Sequence, residues 1–360
     1  MQKPDNIIFV TITMAGGGTE RVISVLANYY AEQGIDVGIL MIGGDSVAYQ
    51  LDSRIEILSL SGATGGSLMG RINRIARMRR YFREHSDAAV IGMGTVAGIF
   101  TLIASMGLKN RVVVSERNDP RRLNHKPITG RMDRIRNLLY MQADAIVFQT
   151  YQAMEYFPPR VRVKGKVIIN PLDDIEQSPV PLEERPKRVI AAGRLIPVKD
   201  FSMLIRAFDR FVEKHPEYTL DIFGKGELEE SLREEIKSLG REDKIRLPGF
   251  TDDIRAEINH SYIYVSTSTS EGISNSIMEA LAGGVPVIAT DCPIGGSAML
   301  INSGRNGILI PVGDEDALTD AFFRIAEDDA LAASFAREAV NIREVASVRK
   351  VAEEWYEAVK

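Results

Sequence analysis

Residues 6–21 read NIIFVTITMAGGGTER: an apolar run from Asn6 to Thr13, then Met14-Ala15-Gly16-Gly17-Gly18-Thr19-Glu20-Arg21. A continuous apolar run without polar alternation is the pattern of a strand buried on both faces. The glycines that follow let the backbone turn sharply, and an amphipathic stretch from about Thr19 to Gln33 reads as a helix. This strand–turn–helix unit recurs. Asp36–Gly43, Ala88–Gly94, Arg111–Ser115, Ala145–Thr150 and Lys166–Asn170 repeat the strand signal, with helical stretches between most of them. The spacing predicts a parallel sheet covered by helices, ending near Pro171.

Residues 172–187 (LDDIEQSPVPLEERPK) break the pattern with three prolines and several acids, the composition of a linker. A second array follows, with strands expected at Arg188–Leu195, Tyr218–Gly224, Ile245–Phe250, Tyr262–Thr267, Val285–Asp291 and Gly307–Val312. The expected fold is therefore α/β: two Rossmann-like, doubly wound parallel-sheet domains, residues 1–171 and 188–344, facing across a cleft. Residues 345–360 form a terminal helix carrying Trp355, for which one option is to cross back to the first domain. In open α/β sheets ligands sit outside the carboxyl ends of the strands, so the cleft is the expected site.

The 360 residues suffice for two sizeable cores, and 45% apolar with 26% charged residues is ordinary globular composition. One cysteine, Cys292, excludes an internal disulfide. The amino-terminal stretch lacks the pattern of a secretory signal and no window approaches the length of a membrane span, so a cytoplasmic location is expected. The net charge of −5 hides an asymmetry: residues 1–180 hold 22 Lys+Arg against 17 Asp+Glu, and residues 181–360 hold 22 against 32. A basic half facing something anionic, DNA or phospholipid, is one reading, and chance surface composition is the other. Nucleic acid is disfavoured because zinc-ligand spacing, a helix-turn-helix signature and an aromatic RNA-binding motif are all missing.

Each chemical motif has a bland alternative. The Gly16–Gly18 turn suits close approach of a phosphate at a helix N-terminus, or is a tight turn without a ligand. Gly193-Arg194…Lys199 places two cations on a loop at a strand's carboxyl end, where they converge on a diphosphate or simply face water. Glu271-Gly272-Ile273-Ser274-Asn275-Ser276-Ile277-Met278-Glu279 follows a strand and opens a helix, with two carboxylates eight residues apart and more polar residues than one cap requires. Gly224-Lys225-Gly226-Glu227 is another post-strand glycine turn, weak by itself.

In order and spacing, these motifs together resemble glycosyltransferase family 4 of GT-B fold, along essentially the whole chain. The likeness is strongest to bacterial enzymes that extend lipid-linked oligosaccharides, to which Asp291–Gly296 and Asn306–Asp314 also bear similarity. The resemblance implies a retaining glycosyltransferase that uses a nucleotide sugar, UDP-linked, as substrate. Arg194 and Lys199 would then hold the diphosphate and Glu279 the ribose. Glu271 with the amides of Gly272, Ile273, Ser274 and Asn275 would hold the sugar and phosphate. Gly16 and Gly17 would close the diphosphate pocket from the other domain. Gly193, Gly224 and Lys225 would shape the donor pocket, with the base near Arg246–Phe250, including Leu247. No cofactor is implied, and cations plus amides would replace a metal; the acid pairs Asp173-Asp174 and Asp252-Asp253 read as solvated or capping residues.

Where many relatives carry a histidine this chain reads Ser115-Glu116-Arg117-Asn118-Asp119, which leaves Glu116, Arg117 and Asp119 as cleft candidates. His85, His125, His215 and His260 all read as surface residues. Residues 70–85 (GRINRIARMRRYFREH) put Arg71, Arg74, Arg77, Arg79, Arg80 and Arg83 on one helix among apolar residues, suited to an anionic inner-leaflet surface or a lipid-linked glycan acceptor. Arg121, Arg122, Arg131, Arg134 and Arg136 are expected to extend that surface. A soluble acceptor, or a non-catalytic nucleotide- or polyanion-binding protein, remain the alternatives.

Overall fold

The computed structural model describes residues 6–61, 68–123, 126–173 and 179–360. The chain divides into two compact units: Met1–Asp173 with Ala346–Lys360, and Asp174–Val345.

The first unit holds seven parallel strands: β1 (Asn6–Thr11), β2 (Asp36–Met41), β3 (Glu56–Ser59), β4 (Ala89–Met93), β5 (Arg111–Glu116), β6 (Ala145–Phe148) and β7 (Gly165–Val167). Their order is β3-β2-β1-β4-β5-β6-β7, with Ile7 in register with both Val37 and Ala89. Past their first residues the central strands are buried throughout, which is why their sequences lack alternation. Strand β3 gave no such signal because its residues are exposed or half-buried at the sheet edge.

Helices α1 (Gly18–Glu32), α2 (Leu68–Glu84), α3 (Thr95–Ser105) and α4 (Gly130–Tyr140) cover the sheet. One face also receives the C-terminal helix Val348–Val359. There Val351, Ala352, Trp355, Ala358 and Val359 share a core with Ile7, Phe9, Val113 and Val147. Tyr30 on α1, fully buried, donates to the Ala352 carbonyl at 2.7 Å and ties that helix down.

Two arginines expected on the basic surface are braces instead. Arg136 is wholly buried, because Glu116 (4.0 Å), Asp133 and the Pro120 carbonyl (2.7 Å) compensate it and the Phe157 ring stacks 4.6 Å away. Arg79 is half-buried and donates to the carbonyls of Ala104 (3.1 Å) and Met106 (2.6 Å), closing the end of α3.

The second unit holds six parallel strands: β8 (Arg188–Ala192), β9 (Thr219–Phe223), β10 (Ile245–Gly249), β11 (Ile263–Ser266), β12 (Val287–Thr290) and β13 (Ile308–Ile310), in the order β10-β9-β8-β11-β12-β13. Its helices include α5 (Phe201–Val212), α6 (Glu229–Ser238), α7 (Ile254–Asn259) and α8 (Asn275–Ala282). Phe201, Leu204, Ile205, Phe208, Phe211 and Val212 recur at helical spacing on α5 and are buried against the sheet. Both sheets reverse winding direction beside their first strand, between β1 and β4 and between β8 and β11. Loops leaving two such neighbours diverge and open a crevice at the carboxyl edge.

Candidate functional site

The second unit's switch point lies between the loops that follow β8 and β11, and the backbone stitches them together. Thr269 N donates to the Val198 carbonyl at 2.8 Å, and the Thr267 hydroxyl donates to the Lys199 carbonyl at 2.8 Å. On the other side, Leu195 N donates to the Lys225 carbonyl and Leu228 N to the Leu195 carbonyl. This tight seam dictates glycine at 224: φ is +144°, and a Cβ would sit 1.8 Å from the Gly193 carbonyl oxygen. Gly296 is equally constrained, since its Cβ would lie 1.7 Å from the Gly272 carbonyl oxygen.

On this frame Lys199 forms an ion pair with Glu271, whose carboxylate also accepts from the Ser268 hydroxyl at 3.2 Å. The Lys199 aliphatic stem lies against Gly193, so a Cβ there would meet Cε at 3.0 Å. Arg194 is exposed and makes no side-chain hydrogen bond or ion pair among the described residues. Ser274 caps α8, accepting from Ile277 N at 3.5 Å, and its hydroxyl lies 3.1 Å from that of Ser276. Tyr264 on β11 donates to Ser276 at 2.7 Å, and burial pushes its phenol well above the usual range. Glu279, on α8, is buried to 1% exposure, with the Arg255 guanidinium of α7 3.9 Å away. A partly neutralised cation, a free one, a buried acid and a polar helix start therefore surround one sheet edge, a set suited to a phosphate flanked by hydroxyls.

Gly272 and Asn275 are half-buried and Ile273 is buried in this turn, while Lys225 is exposed. Leu247 is buried in the core, and its carbonyl accepts from Arg233 at 3.1 Å. A groove of about 850 Å³ runs along edge strand β10, but it includes none of Arg194, Lys199, Glu271 or Glu279. Within it Asp221 is bridged by Arg188 and Arg246, and Arg188 reaches Glu257 at 2.8 Å.

In the first unit, Gly16 has φ +109° and Gly17 precedes α1. The Glu20 carboxylate lies over Gly17, where a Cβ would meet Oε2 at 2.5 Å, so the N-terminus of α1 already faces an anion. Glu116 is buried and fully engaged: it accepts from Thr95 (2.5 Å) and Tyr140 (2.8 Å) and faces Arg136. Burial pushes its carboxyl up, against the pull of Arg136 and the two hydroxyls. Asp119 accepts from Arg121 at 2.7 and 2.8 Å. Arg117 is buried beside Asn170.

Among the acid pairs, Asp173 binds Arg21 at 2.9 Å, Asp253 caps α7, and Asp174 lies outside the described residues. His85 packs on Tyr81, His215 faces Glu217 and Glu327, and His260 lies 2.9 Å from its own helix carbonyl at Ala256. His125 lies outside the described residues. Tyr264, Ser268 and Arg255 were not legible as site residues. Tyr264 sits in an apolar run and reads as core, and nothing in the sequence pairs Arg255 with Glu279.

Residues 17–173 match the family described as glycosyl transferase 4-like domain, and residues 173–341 match glycosyl transferases group 1. An uncharacterized glycosyltransferase of Haemophilus influenzae is 24% identical over 354 residues, covering 96% of this chain and 97% of that protein. The GalNAc-α-(1→4)-GalNAc-α-(1→3)-diNAcBac-PP-undecaprenol α-1,4-N-acetyl-D-galactosaminyltransferase of Campylobacter jejuni is 25% identical over 341 residues, covering 93% and 91%. In fold, the crystal structure of Anabaena HepE in complex with UDP and glucose aligns with a TM-score of 0.83 at 20% identity over 98% of each chain. Two family matches that meet at Asp173, on two parallel sheets wound in the same order, are one conclusion: the chain belongs to the family-4 type of glycosyltransferases and has the GT-B fold.

Proposed function

We propose that this glycosyltransferase moves a hexose or N-acetylhexosamine from a UDP-linked donor to a polyprenyl-diphosphate-linked glycan, with retention of configuration and without a metal. The observation that carries the donor assignment is the Lys199–Glu271 pair beside exposed Arg194 at the second unit's switch point, next to the start of α8. Arg194 and Lys199 neutralise the charge that the leaving diphosphate gains, the work a metal does elsewhere. Glu279 accepts from the ribose hydroxyls, and Glu271 with the Gly272–Asn275 amides holds the sugar and phosphate. The leaving phosphate oxygen deprotonates the acceptor on the same face. UDP is favoured because the Anabaena neighbour was crystallised with UDP, and a lipid-linked acceptor because the Campylobacter relative is named for one.

A cytoplasmic enzyme bound to the inner face of the membrane fits the layer of α2 and α4. Arg71, Arg77, Arg80 and Arg83 are exposed on α2 beside exposed Met69 and Ile72. Helix α4 adds Arg131 and Arg134 with exposed Met132, Ile135 and Leu138. No helix among the described residues is long and apolar enough to cross a membrane. The test is a nucleotide-sugar panel against a lipid-linked acceptor, with and without EDTA, reading released UDP or GDP and the product's anomeric configuration. Release of GDP alone, inversion, or complete loss in EDTA restored by Mg²⁺ each removes the corresponding part of the proposal.

A further inference from the structure

Side chains alternate along β5. Glu116 points to the face carrying α3 and α4, where Thr95, Tyr140 and Arg136 take up its carboxylate. Ser115 and Arg117 therefore project to the opposite face, the one shared by α1 and the C-terminal helix. Arg117 is 5% exposed, and its guanidinium is incompletely served. NH2 donates to Asn170 Oδ1 at 2.5 Å, but Nε and NH1 are buried with no acceptor among the described residues. The Ser115 hydroxyl, buried two residues earlier, also has no partner. The nearby groups are neutral: Asn170, and Gln149, whose amide nitrogen donates to the Arg117 carbonyl at 2.6 Å while its oxygen accepts from NH2 at 3.3 Å, leaving Nε and NH1 unserved.

The other buried arginines are structural, and they look different. Arg136 has two carboxylates and a carbonyl, and only its Nε is left without an acceptor among the described residues. Arg185 gives its donors to the carbonyls of Val180, Ser261 and Gly283. A buried cation that has neither a counter-charge, as Arg136 has, nor carbonyls for its donors, as Arg185 has, is costly unless a ligand completes it. Burial lowers the Arg117 pKa only to about 10, so the charge persists at neutral pH. Three donor groups without an acceptor, at the carboxyl end of a parallel strand, suit an anion with several oxygens.

We propose that Arg117, with Ser115 beside it, seats an oxyanion of the acceptor substrate, a phosphate or diphosphate group. Calling that ligand the acceptor rests on the glycosyltransferase reading, whereas the seat itself rests on the surroundings of Arg117.

The experiment separates this seat from the donor cations. Inorganic pyrophosphate is titrated into the full chain carrying Arg194→Ala and Lys199→Ala, which deprives the proposed donor site of its hold on the probe. One equivalent is expected to bind, and adding Arg117→Met is expected to weaken binding at least tenfold. Arg117→Lys keeps part of the affinity. Without the anion, Arg117→Met is expected to melt no lower than its parent, because an apolar side chain of similar length replaces an unpaired buried cation. No binding to the Arg194/Lys199 variant, or undiminished binding after Arg117→Met, overturns the proposal. So does a lowered melting temperature with unchanged affinity, which marks Arg117 as a brace for Asn170. Farnesyl diphosphate and glucose 6-phosphate form two further arms: either one binding more tightly than pyrophosphate, in an Arg117-dependent way, supports the seat and names a lipid-borne or a soluble source. UDP titration into the native chain tests the donor reading separately, and its failure would leave the seat standing.

Discussion

Replacing Lys199 by alanine separates a diphosphate ligand from an ordinary ion pair. A hydrogen bond from a charged donor contributes about 1.5–3 kcal/mol, so Lys199→Ala is expected to weaken UDP binding and lower kcat/KM by roughly 10- to 150-fold. The structure adds a competing term, because Lys199 is already paired with Glu271, at side-chain exposures of 18% and 23%. A partly exposed pair is worth only about 0.2–1 kcal/mol, which the incoming phosphate must displace. Removing the competitor with Glu271→Gln is therefore expected to tighten UDP binding by up to about fivefold, while turnover falls because the sugar loses a hydrogen-bond acceptor. In the double variant the tightening should vanish. Calorimetric titration of UDP in EDTA measures all four corners of this cycle. Lys199→Ala binding UDP within about twofold of the native chain would refute the diphosphate assignment, since even the smallest charged contact exceeds that. Glu271→Gln weakening UDP as much as Lys199→Ala would show that Glu271 positions the lysine rather than competing for it.

Gly224→Ala places a methyl group 1.8 Å from a backbone oxygen and should cost about 3 kcal/mol or more. Gly304→Ala, at φ +84° in open space, should cost only about 1–2 kcal/mol, and urea melts of both will show whether the seam or φ alone dictates glycine. Trp355→Ala should destabilise the first unit by about 3–5 kcal/mol, since the side chain is wholly buried in its core; near-native stability would show the helix to be dispensable. Cys292 is buried, and burial pushes its thiol up, so it should react with a thiol reagent only as the chain unfolds, as one equivalent. Rapid labelling of the native chain would contradict its burial.

Strands buried on both faces are legible because nothing polar interrupts them, and so both sheets could be read from runs such as Ile7–Val10 and Val287–Thr290. Strand β3 was not, since Glu56 and Ile57 at an exposed edge need no pattern. Along the site, the glycine turns and charged motifs mark which loops leave the carboxyl edges of the strands. What they hide is partnership across distant sequence. Lys199 and Glu271 are 72 residues apart, and no local rule states that they meet. Glu116 and Arg136 show the reverse failure: the first reads as a cleft candidate at a strand end and the second as surface on a helix, yet the fold turns both inward and pairs them. Only the tertiary arrangement decides whether a charge faces water or a counter-charge.

The helix bearing Trp355 returns to the first unit after the whole second unit has been threaded, so the polypeptide passes between the units twice. A ribosome making this chain delivers residues 1–173 early, but the wall that seals Phe9, Val113 and Val147 emerges only after the whole second unit. Until then that apolar face stays open to chaperones or to nascent neighbours, while the second unit, whose segment is contiguous, completes itself first. A premature stop anywhere after residue 173 would thus injure the half of the molecule already synthesised, and a separately expressed first unit would need residues 346–360 grafted on or supplied as a peptide.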